Sequence, residues 1–262
     1  MLKRIVICQS IALLFLLGKA PASRANSITA HLNPERIEIG AFFNGSKVFV
    51  SGVVPADSEV AVRLAGMRQE VALKKKGKAL GLLWMNLGSV TVRNAPSLYL
   101  LCLSEKLQEL ARENPEQWQA LNIGFTSLKR EMSVDSDVDA DDADSILEEF
   151  IRLKKSEGLY AVGRSSISYG ELNNDGKPYK AIVEIPPRLT PGKYLLEVIA
   201  VANGRVLATE KNWLEVEEVG FPAFLTVLAF NHGALYGLLA TIVAIAAGLL
   251  MGVIFKGEKG AH

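Results

Sequence analysis

The stretch KYLLEVIAVANGRVLATEKNWLEVEE, residues 193–218, decides the reading of this chain. Two strand-like runs flank Asn203-Gly204, and an Asn-Gly pair in that setting is a strong signal for a type I′ hairpin. Upstream lie SSISYGEL (165–172), a turn at Asn173-Asn174-Asp175-Gly176, and PYKAIVEIPP (178–187). Further toward the N-terminus come SKVFVSGVV, SEVAVRLAG, QEVALKKK, LLWMN, SVTVRN and SLYLLCLSE, separated by Asn44-Gly45, Pro55, Gly66, Gly77, Gly88 and Pro96. Short strands with turn signals at such intervals suggest a sandwich. In SEVAVRLAG, Val60, Val62 and Leu64 share one face, as a half-buried strand requires.

The chain therefore reads as mainly β, with two immunoglobulin-like β-sandwich domains at 26–104 and 158–220. A local match supports relating them: Pro96-Ser97-Leu98-Tyr99-Leu100-Leu101 aligns with Pro191-Gly192-Lys193-Tyr194-Leu195-Leu196. Tyr99 and Tyr194 are expected as structural corners, each tying a crossing loop to its strand through the hydroxyl.

Between the halves, 105–157 differs in composition and reads as a helical and acidic connector. SEKLQELARENPEQWQALNIG is helix-like, with Leu107, Leu110 and Ala111 on one stripe and Pro115 interrupting. Residues 131–150 carry nine Asp or Glu and no Lys or Arg. SILEEFIRLKKSEGLY resumes as an amphipathic helix, with Ile146, Phe150 and Leu153 toward the core and Asp144 or Ser145 as N-cap.

Both ends bear on a membrane. MLKR, a short apolar core and KAPASRA form a secretory signal over 1–25, cleaved after Ala25 or after Ala22; an uncleaved anchor is the other reading. Cys8 would leave with the signal. Residues 234–255, ALYGLLATIVAIAAGLLMGVIF, carry no charge and are long enough to cross a bilayer as a helix. Glu215, Glu217 and Glu218 precede the apolar region and Lys256 and Lys259 follow it, so 256–262 is expected to be a cytoplasmic tail. The expected location is the bacterial inner membrane, single-pass, with the bulk of the chain in the periplasm. Residues 221–233, broken by Pro222 and Asn231, read as an interfacial segment. Gly248 and Gly252 form a G-x-x-x-G that permits close helix approach.

Lys and Arg number 29 against 28 Asp and Glu, which leaves no basic field to attract nucleic acid. Asp137, Asp139, Asp141 and Glu148 fall at positions 1, 3, 5 and 12 of an EF-hand-like spacing, a weak calcium candidate. Position six is Asp142 rather than Gly, and position eight is Asp144 rather than an apolar residue, so a solvated acidic loop is the competing reading. His31, His232 and His262 stand far apart, and zinc or haem motifs are lacking, so no cofactor is expected. Cys102 alternates with Leu100 and reads as a buried strand residue. Lys74-Lys75-Lys76 with Lys78 form a basic hairpin-like tip, suited to anionic headgroups or an acidic partner, or to guarding a strand edge.

The order FFNGSKVFVSGVV, AVRLAG, LGLLWMN, APSLYLLCLSE, FIRLKKSEGLY, LTPGKYLLEVIAVANGRVL and HGALYGLLATIVAIAAGLLMG resembles a family of uncharacterised transmembrane proteins first described in alphaproteobacteria. The resemblance implies a signal peptide, a periplasmic body and one C-terminal helix. It further implies a neighbouring permease of the sulfite-exporter type, and it transfers no catalytic or binding residue. The expected function is a non-enzymatic, membrane-anchored accessory or docking subunit for a permease or respiratory complex in the bilayer. The alternative is a periplasmic ligand- or metal-binding sensor domain without a stable partner.

Overall fold

Strands from both halves of the body meet in the same sheets. The computed structural model describes residues 28–79, 83–135, 140–163 and 166–256; the expected signal segment 1–25 and the tail beyond Lys256, with Lys259 and His262, lie outside the described residues. In chain order the strands are β1 (His31–Asn33), β2 (Arg36–Ile39), β3 (Ser46–Val54), β4 (Glu59–Ala65), β5 (Arg68–Ala79), β6 (Leu83–Pro96), β7 (Tyr99–Leu103), β8 (Ser133–Val134), β9 (Tyr160–Val162), β10 (Ile167–Tyr169), β11 (Lys177–Ile185), β12 (Gly192–Ala202) and β13 (Arg205–Glu218). The helices are α1 (Glu105–Glu113), α2 (Pro115–Ala120), α3 (Phe125–Glu131), α4 (Ala140–Ser156), α5 (Gly220–Asn231) and α6 (Gly233–Lys256).

A four-stranded sheet runs β1-β3-β11-β10 and a six-stranded sheet runs β2-β13-β12-β4-β7-β9. β3 pairs antiparallel with β11 from Ser46↔Ile185 to Val54↔Lys177, and β4 pairs with β12 from Glu59↔Val201 to Ala65↔Leu195. This corrects the expectation of two sandwiches at 26–104 and 158–220. One sandwich is built from both segments, because neither half owns enough strands to cover its own apolar faces. Val48, Val50, Val60, Val62 and Leu64 from the first segment pack with Ala181, Val183, Leu196, Val198 and Leu214 from the second in one core. The alternation predicted for Val60, Val62 and Leu64 holds: all three are fully buried.

The segment 105–157 is likewise not a connector between domains. Its helices cover the other face of the six-stranded sheet, where Ala61, Tyr99, Leu101, Leu103, Ile199 and Val201 form a second core with Leu107, Leu128, Leu147, Phe150 and Ile151. Ser104 caps α1 by accepting from the Leu107 N–H, and Asn114 caps α2 by accepting from the Gln117 N–H, with Pro115 opening that helix. α4 starts at Ala140, earlier than Asp144 or Ser145, since acidic residues suit the positive end of a helix and extend it. Its buried stripe is Leu147, Phe150 and Ile151 with Ile146 packed beside them, while Leu153 is exposed.

The hairpin at 203–204 forms as its sequence predicts. Asn203 (φ 51°) and Gly204 (φ 69°) both take the positive φ of a type I′ turn between β12 and β13. The two Pro-x-x-Tyr tyrosines diverge. The Tyr194 hydroxyl donates to the Thr190 carbonyl oxygen at 2.7 Å, four residues upstream, which is corner geometry. Tyr99 points to the opposite face of its sheet; its hydroxyl donates to the Gly124 carbonyl oxygen at 3.3 Å and accepts from the Gly124 N–H at 3.1 Å. Tyr99 is thus a link to the helical layer and not a corner.

The shared sheets predict how fragments behave. A chain ending at Ser104 lacks β11 and β12, the partners of β3 and β4, and should stay unfolded by circular dichroism. Residues 28–218 should give a cooperative melt. A folded, cooperative 28–104 fragment would contradict the shared-sheet arrangement.

Candidate functional site

Three features carry chemistry: the C-terminal apolar helices, a charged cavity behind the six-stranded sheet, and an acidic staple at one end of the sandwich.

α6 offers 23 residues, Gly233–Phe255, of mean hydropathy 2.6, none of them buried against the rest of the chain. A helix that is apolar all round and exposed along its length suits a bilayer. α5 is a separate, shorter apolar helix, parted from α6 at His232, whose backbone leaves the helical region (φ −136°, ψ 52°). The expected interfacial segment 221–233 therefore falls on α5 and this break. Gly248 and Gly252 lie on α6 with no atom within 4 Å of where a Cβ would stand, and Gly237 is equally bare.

The cavity, about 180 Å³, is lined by Arg63, Arg68, Tyr99, Ser127, Glu131 and Glu197, among others. Arg63 on β4 and Glu197 on β12 are cross-strand partners. Arg63 Nε and Nη2 reach Glu197 Oε2 at 2.7 and 2.6 Å, and Lys211 on β13 approaches Oε1 at 3.5 Å. Burial disfavours the Arg63 charge, yet the adjacent Glu197 carboxylate raises its pKa overall. The Tyr99 phenol is pushed up by burial and held back by Arg63 beside it. Across the cavity Arg68 pairs with Glu131 and donates to the Asn94 carbonyl oxygen at 3.1 Å. The charges cancel in pairs. The Ser127 hydroxyl, in a residue only 4% exposed, has no hydrogen-bond partner among the described residues. Neither His31 on β1 nor His232 lines the cavity.

Sequence reasoning missed this cluster. Its signal was present: Glu197 is the one charge in an otherwise apolar YLLEVIAVA, and Arg63 the one charge in VAVRLAG. A single charge inside an apolar strand calls for a buried partner.

The staple centres on Glu59 at the start of β4. Its carboxylate accepts from the Tyr169 hydroxyl at 2.8 Å and lies 3.3 Å from Lys177 and 3.2 Å from Lys106. The Tyr169 hydroxyl in turn accepts from the Val60 N–H at 2.9 Å. One carboxylate thus joins the two sheets and α1. Burial pushes Glu59 up, but its hydrogen bonds and Lys177 prevail and hold it below the ordinary value.

The remaining sequence candidates are not gathered into a site. Asp137 and Asp139 lie outside the described residues. Asp141 and Glu148 belong to α4, so a helix stands where the EF-hand-like spacing requires a loop; the helical rise from one to the other is about 10 Å along the axis. Glu148 Oε1 instead accepts from Lys129 Nζ at 2.8 Å. Cys102 is 1% exposed, on the sandwich side of β7. Lys74, Lys75, Lys76 and Lys78 lie along β5, with Lys78 opposite Trp84 of β6.

Two stability predictions follow from these pairs. Glu197→Ala should destabilise the detergent-solubilised chain by about 3 kcal/mol, because it leaves Arg63 without its buried partner. Lys211→Ala, at an exposed cation, should cost less than about 1 kcal/mol in the same denaturation assay. A group whose folded pKa is lowered stabilises above its unfolded value and loses that contribution as pH falls. Glu59 has an ordinary value of 4.5, so wild type should lose melting temperature as pH drops below that value, and Glu59→Gln should lose less over the same range.

No curated protein matches the sequence. A family model does, and it covers residues 27–257, which takes in the sandwich, the helical layer and both apolar helices. The chain belongs to the family described as "Putative transmembrane protein (Alph_Pro_TM)".

Proposed function

We propose that this protein is a non-enzymatic accessory subunit of the bacterial inner membrane: α6 tethers a single periplasmic sandwich beside an integral membrane partner, with the tail after α6 in the cytoplasm. The observation that carries the reading is the bare glycine face of α6. Gly237, Gly248 and Gly252 have open space where a side chain would sit, and such a face lets a second helix approach closely within lipid. A permease of the sulfite-exporter type is the partner class that the sequence resemblance favours. We read the sandwich as one immunoglobulin-like domain. The orders β1-β3-β11-β10 and β13-β12-β4 correspond to strands A-B-E-D and G-F-C, and Tyr194 stands near the start of the F-like strand, where its hydroxyl reaches back to Thr190.

The second reading, a ligand-binding sensor domain, is favoured by one observation, the cavity with the unpartnered Ser127 hydroxyl.

Purification in mild detergent separates the two. The docking reading expects an integral membrane protein to co-purify with wild type and to be lost from a Gly248→Leu, Gly252→Leu variant that still folds. A lone chain in both preparations, stabilised by a small polar ligand in wild type but not in Ser127→Val, would replace it with the sensor reading. Orientation is checked by alkaline phosphatase fusions, active after Val216 and inactive after Phe255; the opposite pattern would reverse the topology.

A further inference from the structure

The two ends of the sandwich differ, and strand direction decides which of them faces the membrane. β13 runs toward α5, with only Val219 between them. β2 is parallel to β13 and ends level with it, at Ile39↔Glu218, and the Val219 N–H donates to the Ile39 carbonyl oxygen at 3.0 Å. The chain then turns through Gly40–Phe43, where the Phe43 N–H donates to the Gly40 carbonyl oxygen at 3.1 Å, and enters β3. Phe43 packs against the sandwich core, which fixes the turn, while Phe42 beside it is 98% exposed. Turn positions favour Gly, Pro, Asn, Asp and Ser, so an aromatic ring held in the open there has no role in forming the turn.

Phe42 lies three residues beyond Ile39, so within about 10 Å of it, and Ile39 is hydrogen-bonded to Val219, the residue before α5. α5 adds Phe221, Phe224 and Phe230, each more than half exposed. A third element leaves by the same end. β4 and β13 run in the same direction, since both are antiparallel to β12. The β4–β7 ladder continues through backbone bonds from Gly66 to Leu98 and from Ser97 to Met67 into the β5–β6 ribbon, which carries Lys74 to Lys76 and Lys78.

We propose that this end of the sandwich is a second membrane contact: the Phe42 turn and α5 lie in the headgroup layer of the bilayer that α6 crosses. The occupant is lipid rather than protein, because the exposed rings sit at the mouth of the membrane helix. Phe side chains of membrane-surface segments anchor at the boundary of headgroups and acyl chains, and the basic ribbon matches anionic headgroups. The proposal rests on α6 spanning the bilayer. The contact holds the sandwich upright, with its opposite end, at the Asn203-Gly204 hairpin and the Glu59 staple, turned away from the membrane.

The test uses the full chain reconstituted into phosphatidylethanolamine–phosphatidylglycerol vesicles, with an NBD probe on one introduced cysteine and nitroxide-labelled lipids as quenchers. Cys102 is buried, and wild type carried through the same labelling supplies the blank. The probe on Phe42→Cys should emit to the blue and be quenched by headgroup-region nitroxide. The probe on Val206→Cys, beside the far hairpin, should not. The probe on Leu249→Cys reports on α6 itself through acyl-chain nitroxide. Quenching at 249 without quenching at 42 overturns the proposal and leaves the anchor intact, and a turn reserved for a protein partner would give that same result in vesicles holding this protein alone. Absence of quenching at 249 overturns both the spanning reading and the proposal.

Discussion

The ladder between β4 and β12 is the constraint on which the rest of the structure depends. It joins residues 59–65 to residues 195–201 and places both strands in the middle of the six-stranded sheet. Alternation along that ladder then supplies both cores. Val60, Val62, Leu64, Leu196, Val198 and Ala200 point into the sandwich, while Ala61, Ile199 and Val201 point under the helices. Arg63 and Glu197 fall on the helical side at the one register where they face each other. A one-residue slip of β4 would carry Arg63 into the apolar sandwich, drive Val60, Val62 and Leu64 out of it and part Glu197 from its cross-strand cation. The ion pair therefore specifies register as well as filling the edge of the second core.

What was legible in the sequence divides along the range of the forces involved. Local signals were read well. Asn203-Gly204 forms its turn, Ser104 and Asn114 cap helices, and residues 234–255 form an apolar helix within Gly233–Lys256. Alternation told which residues of β4 turn inward. It could not tell which strand lies alongside, because period two marks a face and carries no partner label. Hence two segments with similar patterns were read as two domains, when each supplies strands that the other needs. The repeated Pro-x-x-Tyr misled for a related reason: Tyr194 and Tyr99 occupy like positions in their strands, yet one faces the sandwich and the other the helical layer. At the helical face of α4, a heptad-like reading chose Leu153, whereas the sheet beneath contacts the neighbouring stripe through Ile151 and Leu147.

The polar clusters show how the fold tolerates charge near its centre. Glu197 meets two cations and Glu59 meets two cations and a phenol, so neither carboxylate is left alone. Such groups add little net stability compared with apolar replacements but are costly to break one at a time. Ser127 differs, since its buried hydroxyl has no hydrogen-bond partner among the described residues. A hydroxyl costs free energy in that state unless water or a ligand completes it. That is why the cavity behind the sheet, and not either ion pair, is the place in the body where a small polar molecule would find an unmet hydrogen bond.

The junction between body and membrane is unusually short for a tethered domain. Only Val219 stands between β13 and α5, and its N–H is already engaged by Ile39. Linkers of flexible residues let a domain explore a volume set by their length; one hydrogen-bonded residue permits almost none. The last turn of β13 is further secured by Arg36, which reaches Glu215 and Glu217 from β2, and the Thr226 hydroxyl of α5 donates to Glu218. Any motion of the sandwich must therefore bend this joint or carry α5 with it. A rigid joint converts the orientation of α5 into the orientation of the whole sandwich. The side faces, including the helical layer and the mouth of the charged cavity, are then held at a fixed angle to α5.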